Sequence, residues 1–486
     1  MKQILFLISL MYLVSCKYDK LELPIDPVAA SNFPTEVGEI LVNKCATSGC
    51  HNSLSRGIAG GLDFSTWDLM FDGGRNGTAV IPYSIDNSYM LYSVNTDSTQ
   101  GPILLPTMPY LQSPLSQSEY DLLLNWIAAG APNKDNFVKF SDNPNRKKLY
   151  IVMQGCDKVA VVDEATKVIM RYIDVGNNSN LIESPHQVRV SPDGQFWYVV
   201  FINGDILQKF RTSDDQLVGE VNIGPGDWNT LVFNQTGDTG FVNATQAGYF
   251  AVVPLNTMST YQIRTATFPH GGIVTPDGRY LYLTNQNGNT LTKIDLSTFD
   301  DEQIQLDPVI TNPTFPYSPH EITMTPDGTR YMVSCQKSNE VRVFQQNNDS
   351  LLKIINVGEY PQEFTTMVSL NKIYVSCTEA QVDANRKGLI YSIDITTYET
   401  DSIYPGFQPH GLAAEESSKL IYVANLNLDP NGPAPHHVSA CSGRNGNLTI
   451  IDGTTFTMYR KQLSDGSSFQ YKCEMLAAPY FISLRP

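Results

Sequence analysis

PHQVRVSPDG, residues 185–194, runs a short alternating strand into a Ser-Pro-Asp-Gly turn, and Tyr198 follows in a second strand twelve residues after His186. An Asp-Gly pair between two alternating runs is a hairpin signal, because its residues accept the positive φ that a tight turn needs. The string recurs as Pro269-His270 through Gly278, as Pro319-His320 through Gly328, and in shortened form as Pro409-His410-Gly411-Leu412. Counting on from each histidine reaches Tyr282, Met332 and Tyr422 in the second strand. Three further copies of that second strand lie at Tyr150, Phe241 and Tyr374, so seven landmarks stand 41 to 50 residues apart. A period in the forties with about four strands per unit predicts a seven-bladed β-propeller over residues 141–486. Pro479-Tyr480-Phe481-Ile482-Ser483-Leu484 has the form of an inner strand with nothing after it, whereas the Tyr150 strand lacks an inner strand before it. The last strand is therefore expected to complete the first blade and remove the open edges.

The segment YLYLTNQNGNTLTKIDLST, residues 280–298, closely resembles the YVTN-type propeller repeat, and the resemblance extends over the whole of residues 141–486. In such a blade the inner strand starts at one mouth of the axial channel and the Asp-Gly turn lies at the other. Counting twelve back from every landmark then places His186, Asn229, His270, His320, Gln362 and His410 around one mouth, with Tyr480 from the closing strand. Imidazoles gathered in this way suit a transition metal or a small anion, so His186, His270, His320 and His410 are candidate ligands for a second metal such as copper. The arrangement is similar to the propeller of nitrous oxide reductases, which holds a His-ligated copper cluster. This chain has fewer ring histidines and no recognisable binuclear-copper domain. The alternative is that Pro-His is a favoured turn of the repeat, each ring hydrogen-bonded to backbone. The long insertion of the last blade, residues 425–446, brings His436, His437 and Cys441 to the same face.

The stretch before the propeller carries a different signal. Cys45-Ala46-Thr47-Ser48-Gly49-Cys50-His51 offers two thiols and an adjacent imidazole, the groups that covalent haem attachment uses for the two vinyl arms and the proximal iron ligand. Four residues separate the thiols rather than the usual two. A disulfide is the plain alternative, and zinc lacks a fourth ligand nearby. Val37 to Lys44 is helix-compatible, Ser116 and Glu119 form a capping box opening a helix, and Leu123, Leu124 and Ile127 give it an apolar face. Leu105-Pro106-Thr107-Met108-Pro109 holds a thioether in a rigid loop before it. This order of helix, Cys-His motif, methionine loop and helix resembles a small class I cytochrome c, and the planctomycete-type domains in particular. The resemblance covers about 100 residues. It implies thioether bonds from Cys45 and Cys50 to haem c, and His51 and Met108 as axial iron ligands. Two filled axial positions favour electron transfer over substrate chemistry.

At the N-terminus, Lys2, an apolar run from Ile4 to Val14, and Ser15-Cys16 read as a signal peptide, the run being short for a bilayer span. Leu13-Val14-Ser15-Cys16 resembles the bacterial lipobox, which implies lipidation of Cys16 and a cell-envelope location. The expected organisation is residues 1–15 signal peptide, 16–35 tether, 36–140 a small all-α cytochrome c-like domain, and 141–486 the all-β propeller. Disulfides are permitted in that compartment. Cys441 with Cys473, and Cys335 with Cys377, are candidate pairs, although spacing does not assign them.

The net charge of −16 argues against nucleic acid as a partner, since a polyanion would be repelled. The function expected is an exported haem-binding electron-transfer protein whose propeller supplies a site for a substrate, a metal or a redox partner protein. The alternative is a propeller that binds a surface protein or glycan beside an independent haem relay. A lactonase-like hydrolase ranks last, because the derived ring positions contain no Asp or Glu.

Overall fold

The computed structural model describes residues 26–486 except 267, 311–315, 380–385, 437–440, 442, 464–465 and 486. Seven antiparallel sheets surround one axis, as expected. Blade 1 places the C-terminal strand Pro479–Arg485 innermost, against Lys148–Met153, with Ile151 opposite Ile482 and Leu149 opposite Leu484. Blades 2 to 6 follow in chain order, each four-stranded, and begin with Pro185–Val190, Trp228–Phe233, Pro269–Val274, Pro319–Met324 and Pro361–Met367. Blade 7 begins with Pro409–Glu415 and carries an extra strand, Lys472–Ala477, on Asn445–Asp452.

The landmarks explain the period. Tyr150, Tyr198, Tyr282, Met332, Tyr374 and Tyr422 are buried between blades. Several of the phenols reach an acid in the following blade: Tyr150 Oη donates to Asp215 Oδ1, Tyr282 Oη to Asp349 Oδ1 and Tyr422 Oη to Glu164 Oε1, each at 2.8 Å. The last of these ties blade 7 to blade 1, so the ring closes by side chains as well as by strand pairing.

Residues 26–140 are loop-rich with short helices. The longest is Gln117–Ala128, opened by the Ser116–Glu119 capping box and followed by Gly130 at φ +98°. Thr35–Ile40 runs into a single wide turn, Leu41–Cys45. This segment packs directly on the propeller. Trp67, Phe71 and Phe140 share one apolar core with Tyr150, Val168 and Met170 of blade 1, since a layer this small gains most by burying its aromatics against the nearest sheet. Thr78 Oγ1 accepts the Ile169 amide at 2.7 Å, and Asn76 O accepts the Glu474 amide at 3.1 Å. The stretch read as a tether is partly folded: Pro27–Ala30 is a helical turn, and Phe33 packs edge-on against Trp126 at 6.0 Å. Residues 1–15 and Cys16 lie outside the described residues. Among those described, no helix is long and apolar enough to cross a membrane.

Candidate functional site

In every blade the ladder between the inner and second strands slips at the residue after the leading proline or its equivalent. In blade 5, Pro319 faces Cys335 and Ile322 faces Val333, so His320 and Glu321 together oppose Ser334. This is a β-bulge, which kinks the strand and leaves one residue unpaired. A hydroxyl fills the gap: the Glu321 amide donates to Ser334 Oγ at 3.0 Å, Glu363 to Ser376 Oγ at 3.1 Å, and Gly271 to Thr284 Oγ1 at 2.8 Å. Thr284 and Ser334 pass the bond on, to the His320 and Gln362 carbonyls of the next blade at 2.8 and 2.7 Å. The Ser or Thr two places after the landmark thus serves the axis rather than the blade.

The bulges bring the four histidines together. With Tyr480 they form a closed circuit of rings, His186 to His270 at 5.8 Å, His270 to His320 at 4.0 Å, His320 to His410 at 6.0 Å, His410 to Tyr480 at 3.7 Å and Tyr480 to His186 at 4.5 Å between centroids. His186, Asn229, His270, His320, Gln362 and Tyr480 line a cavity of about 380 Å³ on one side. Six of the seven positions derived from the landmark count therefore meet around one cavity, and His410 completes the circuit. Burial pushes all four imidazoles well below their usual range, His320 to about 3, so they are neutral at pH 7. Each ring engages a neighbour through Nδ1. His270 and His410 donate to the His320 and Tyr480 carbonyls at 3.2 Å, His186 meets the Gln154 amide at 3.0 Å, and His320 meets the Gln286 amide at 3.2 Å. Backbone bonding of the ring thus holds for His270 and His410 and not for His186 and His320, and Nε2 of His320 and of His410 is buried with no hydrogen-bond partner.

The derived ring positions carry no acid, but the residues that follow two of them, Glu321 and Glu363, bring carboxyl groups to the axis. Arg189, Glu321 and Glu363 line a second cavity of about 280 Å³. Burial, reinforced by the Glu363 carboxylate, pushes the Glu321 carboxyl above its usual range, and burial pushes Glu363 up against the pull of Arg189. Period-two alternation assigns a residue beside an axial histidine to the opposite face, and the bulge cancels that rule. One signal was available in the sequence: Gly271 and Gly411 occupy the same place in neighbouring blades, and a Cβ on Gly271 would stand 2.6 Å from Glu321 Oε1. Glu363 Oε1 is 3.5 Å from His320 Nε2, and ligand atoms of His320, His410 and Glu363 all lie within 4.8 Å of one another. Among the described residues the four imidazoles do not converge as a ligand set; these three do.

In residues 26–140, Cys45 and Cys50 are both free thiols, against the disulfide alternative. The Cys45-to-His51 loop folds back on itself. The His51 amide donates to the Cys45 carbonyl at 3.1 Å, and Asn52 Nδ2 holds the Thr47 carbonyl at 2.7 Å. Burial, with Cys50 alongside, pushes the Cys45 thiol up to about 12. Burial also lowers His51, against the effect of the nearby Ala59 carbonyl, and its Nδ1 has no hydrogen-bond partner. Apolar side chains just after His51 and around Met108 face solvent: Leu54 is 92% exposed, Ile58 86%, Leu105 80% and Leu111 87%. Met108 itself is half-buried against the core that contains Cys45.

The disulfide pairing differs from both candidates. Cys441 of the blade 7 insertion bonds Cys156 of blade 1, while Cys335, Cys377 and Cys473 are buried free thiols. The insertion folds across to blade 1, and Cys473 instead packs against Gly77, whose Cβ would meet its Sγ at 2.5 Å. His436 is exposed, and His437 lies outside the described residues.

These features define a seven-bladed β-propeller with a plugged, histidine-lined axis and a helical, thiol-bearing layer against its first blade. The family model described as "Lactonase, 7-bladed beta-propeller" matches residues 150–355. No curated protein matches the sequence. Among solved structures, Kuenenia stuttgartiensis hydrazine synthase is similar at 13% identity and a TM-score of 0.47, covering 64% of this chain and 100% of that one. Dihydro-heme d1 dehydrogenase NirN in complex with DHE is similar at 13% identity and a TM-score of 0.46, covering 77% of this chain and 88% of that one.

Proposed function

We propose that the chain is an exported electron-transfer protein carrying one haem c on residues 36–140, with the propeller axis as a separate ligand site. The reading rests on one combination. Cys45 and Cys50 stay free thiols in a tied loop that ends at His51, whose buried Nδ1 lacks a partner. An unpaired buried polar atom costs about 1–3 kcal/mol, a cost that ligation of His51 would offset. Leu54 and Ile58 after the motif, and Leu105 and Leu111 around Met108, are exposed and would offer apolar surface for a porphyrin face to cover. Cys45 and Cys50 would hold the haem by thioether bonds, and His51 and Met108 would be its axial ligands. When bound, a haem with both axial positions filled supplies reversible one-electron transfer. The chain's own part is to fix the imidazole, keep water from the iron through the apolar flanks, and seat the layer on blade 1.

Export follows the same reading. The Cys156–Cys441 disulfide suits an oxidising compartment, and Cys16 would be the lipidated anchor. The partner would be a redox protein or a small substrate. In the oxidised full chain, a methionine-to-ferric-iron charge-transfer band is expected, and Met108→Ala removes it while covalent haem remains. A band that survives in the variant overturns Met108 as a ligand, and the absence of redox-active iron overturns the whole reading.

A second reading has its own observation. The lactonase family match and the buried Glu321 and Glu363 beside His320 suit hydrolysis of a small ester or lactone at the axis. Lactone turnover by the full chain, abolished in Glu321→Gln, is the result expected from it; no turnover above buffer rejects it.

A further inference from the structure

We propose that His320, His410 and Glu363 hold one divalent first-row transition-metal ion, of the zinc or iron(II) kind, at the propeller axis. Three donor atoms from three blades lie within 4.8 Å of one another, close enough for a single ion at ordinary bond lengths of about 2.0–2.2 Å after small side-chain adjustments. His320 Nε2 and His410 Nε2 are the atoms left without hydrogen-bond partners, and both residues are 1% exposed. Metal-binding imidazoles usually spend the other ring nitrogen on a carbonyl, amide or carboxylate, which fixes the tautomer and the ring plane. That support is in place: His410 Nδ1 donates to the Tyr480 carbonyl, and His320 Nδ1 faces the Gln286 amide, whose oxygen and nitrogen ends exchange by a half-turn.

The set differs from an all-imidazole copper site. Two imidazoles and a carboxylate are the ligand types of open catalytic zinc sites and of non-haem iron(II), and they leave coordination positions free. His320 borders the cavity of about 380 Å³ and Glu363 the cavity of about 280 Å³. A small polar ligand therefore has room on either side of the ion. His186 and His270 line the first cavity and stand outside this three-residue set.

The inference does not rest on the haem reading, and its test keeps the two apart. The full chain is expressed without haem-maturation machinery, stripped with a chelator and titrated with cobalt(II), whose visible d–d bands report nitrogen and oxygen ligands. One cobalt per chain is expected, displaced by one equivalent of zinc. Glu363→Gln keeps the shape of the side chain and should weaken binding about 100-fold or more, by analogy with lost ligand support. His410→Gln should do the same, and near-ultraviolet circular dichroism checks that each variant keeps its tertiary packing. If His410→Gln does not fold, Glu363→Gln decides. No saturable cobalt binding by the wild-type chain, or binding that a folded Glu363→Gln variant retains in full, overturns the site.

Discussion

The His51 backbone amide donates to the Cys45 carbonyl at 3.1 Å, so the two ends of the Cys-x4-Cys-His motif are held together before anything binds there. Four intervening residues need such a tie, because a longer loop has more conformations to lose. Asn52 supplies a second one. Its Nδ2 bonds the Thr47 carbonyl at 2.7 Å, and its Oδ1 accepts the Leu54 amide at 3.0 Å. Asn52→Ala is expected to lower the haem-to-protein ratio several-fold while the propeller's far-ultraviolet dichroism is unchanged. An undiminished ratio would show that the loop does not depend on this residue.

Ring closure in the propeller uses Tyr422 as well as strand pairing. Its hydroxyl donates to Glu164 Oε1 of blade 1 at 2.8 Å. Tyr422→Phe leaves that carboxylate without the phenol and should cost about 2 kcal/mol, the usual worth of a hydrogen bond to a charged group. Tyr198→Phe is the comparison, because among the described residues no hydrogen bond from its hydroxyl to a carboxylate is formed, Asp193 acting on it only through space. Equal denaturation midpoints for the two variants would contradict a special role for the blade 7 to blade 1 contact.

Cys156 and Cys441 join the same two blades across 285 residues of sequence. Peptide mapping of unreduced protein should return one cross-linked pair containing these residues, with Cys335, Cys377 and Cys473 alkylated only after denaturation. Cys156→Ser should cost about 2–4 kcal/mol. A Cys441–Cys473 peptide would show that the insertion folds differently.

Glu415 controls part of the acid limb of stability. Burial opposes its ionisation, but the Lys147 ammonium at 2.7 Å, the Ser418 amide and the Ser417 hydroxyl outweigh it and hold its carboxyl well below the usual carboxylate range. A depressed folded value means that the stabilisation is complete above the unfolded value of about 4.3 and is lost as pH falls below it. Glu415→Gln should therefore be less stable than wild type by about 2 kcal/mol at pH 7, and the gap should close towards pH ~2. A gap that stays constant with pH would assign the loss to packing instead.

The blades and their closure were legible because the landmark tyrosines recur with the period of one blade, and each is held by the same inter-blade burial. The axial ring was legible for the same reason: twelve residues separate His320 from Met332 as they separate His186 from Tyr198. Glu321 and Glu363 were not, since strand alternation places them off the axis and only the bulge at Pro319–Ile322, or at Pro361–Phe364, turns them in. The partner of Cys441 was hidden by topology. The insertion that carries it crosses to blade 1, and nothing local records that crossing. The fused core beneath Trp67 and Phe140 was hidden similarly, because an amphipathic surface does not name the sheet it packs on.

The most direct test is covalent haem on the full chain. Co-expressed with haem-maturation machinery, the protein should retain one haem per chain through denaturation and acid–acetone extraction, and lose it in the Cys45→Ala/Cys50→Ala double variant. Haem absent from the wild-type chain, or haem that stays attached in the double variant, would contradict the assignment of Cys45, Cys50 and His51.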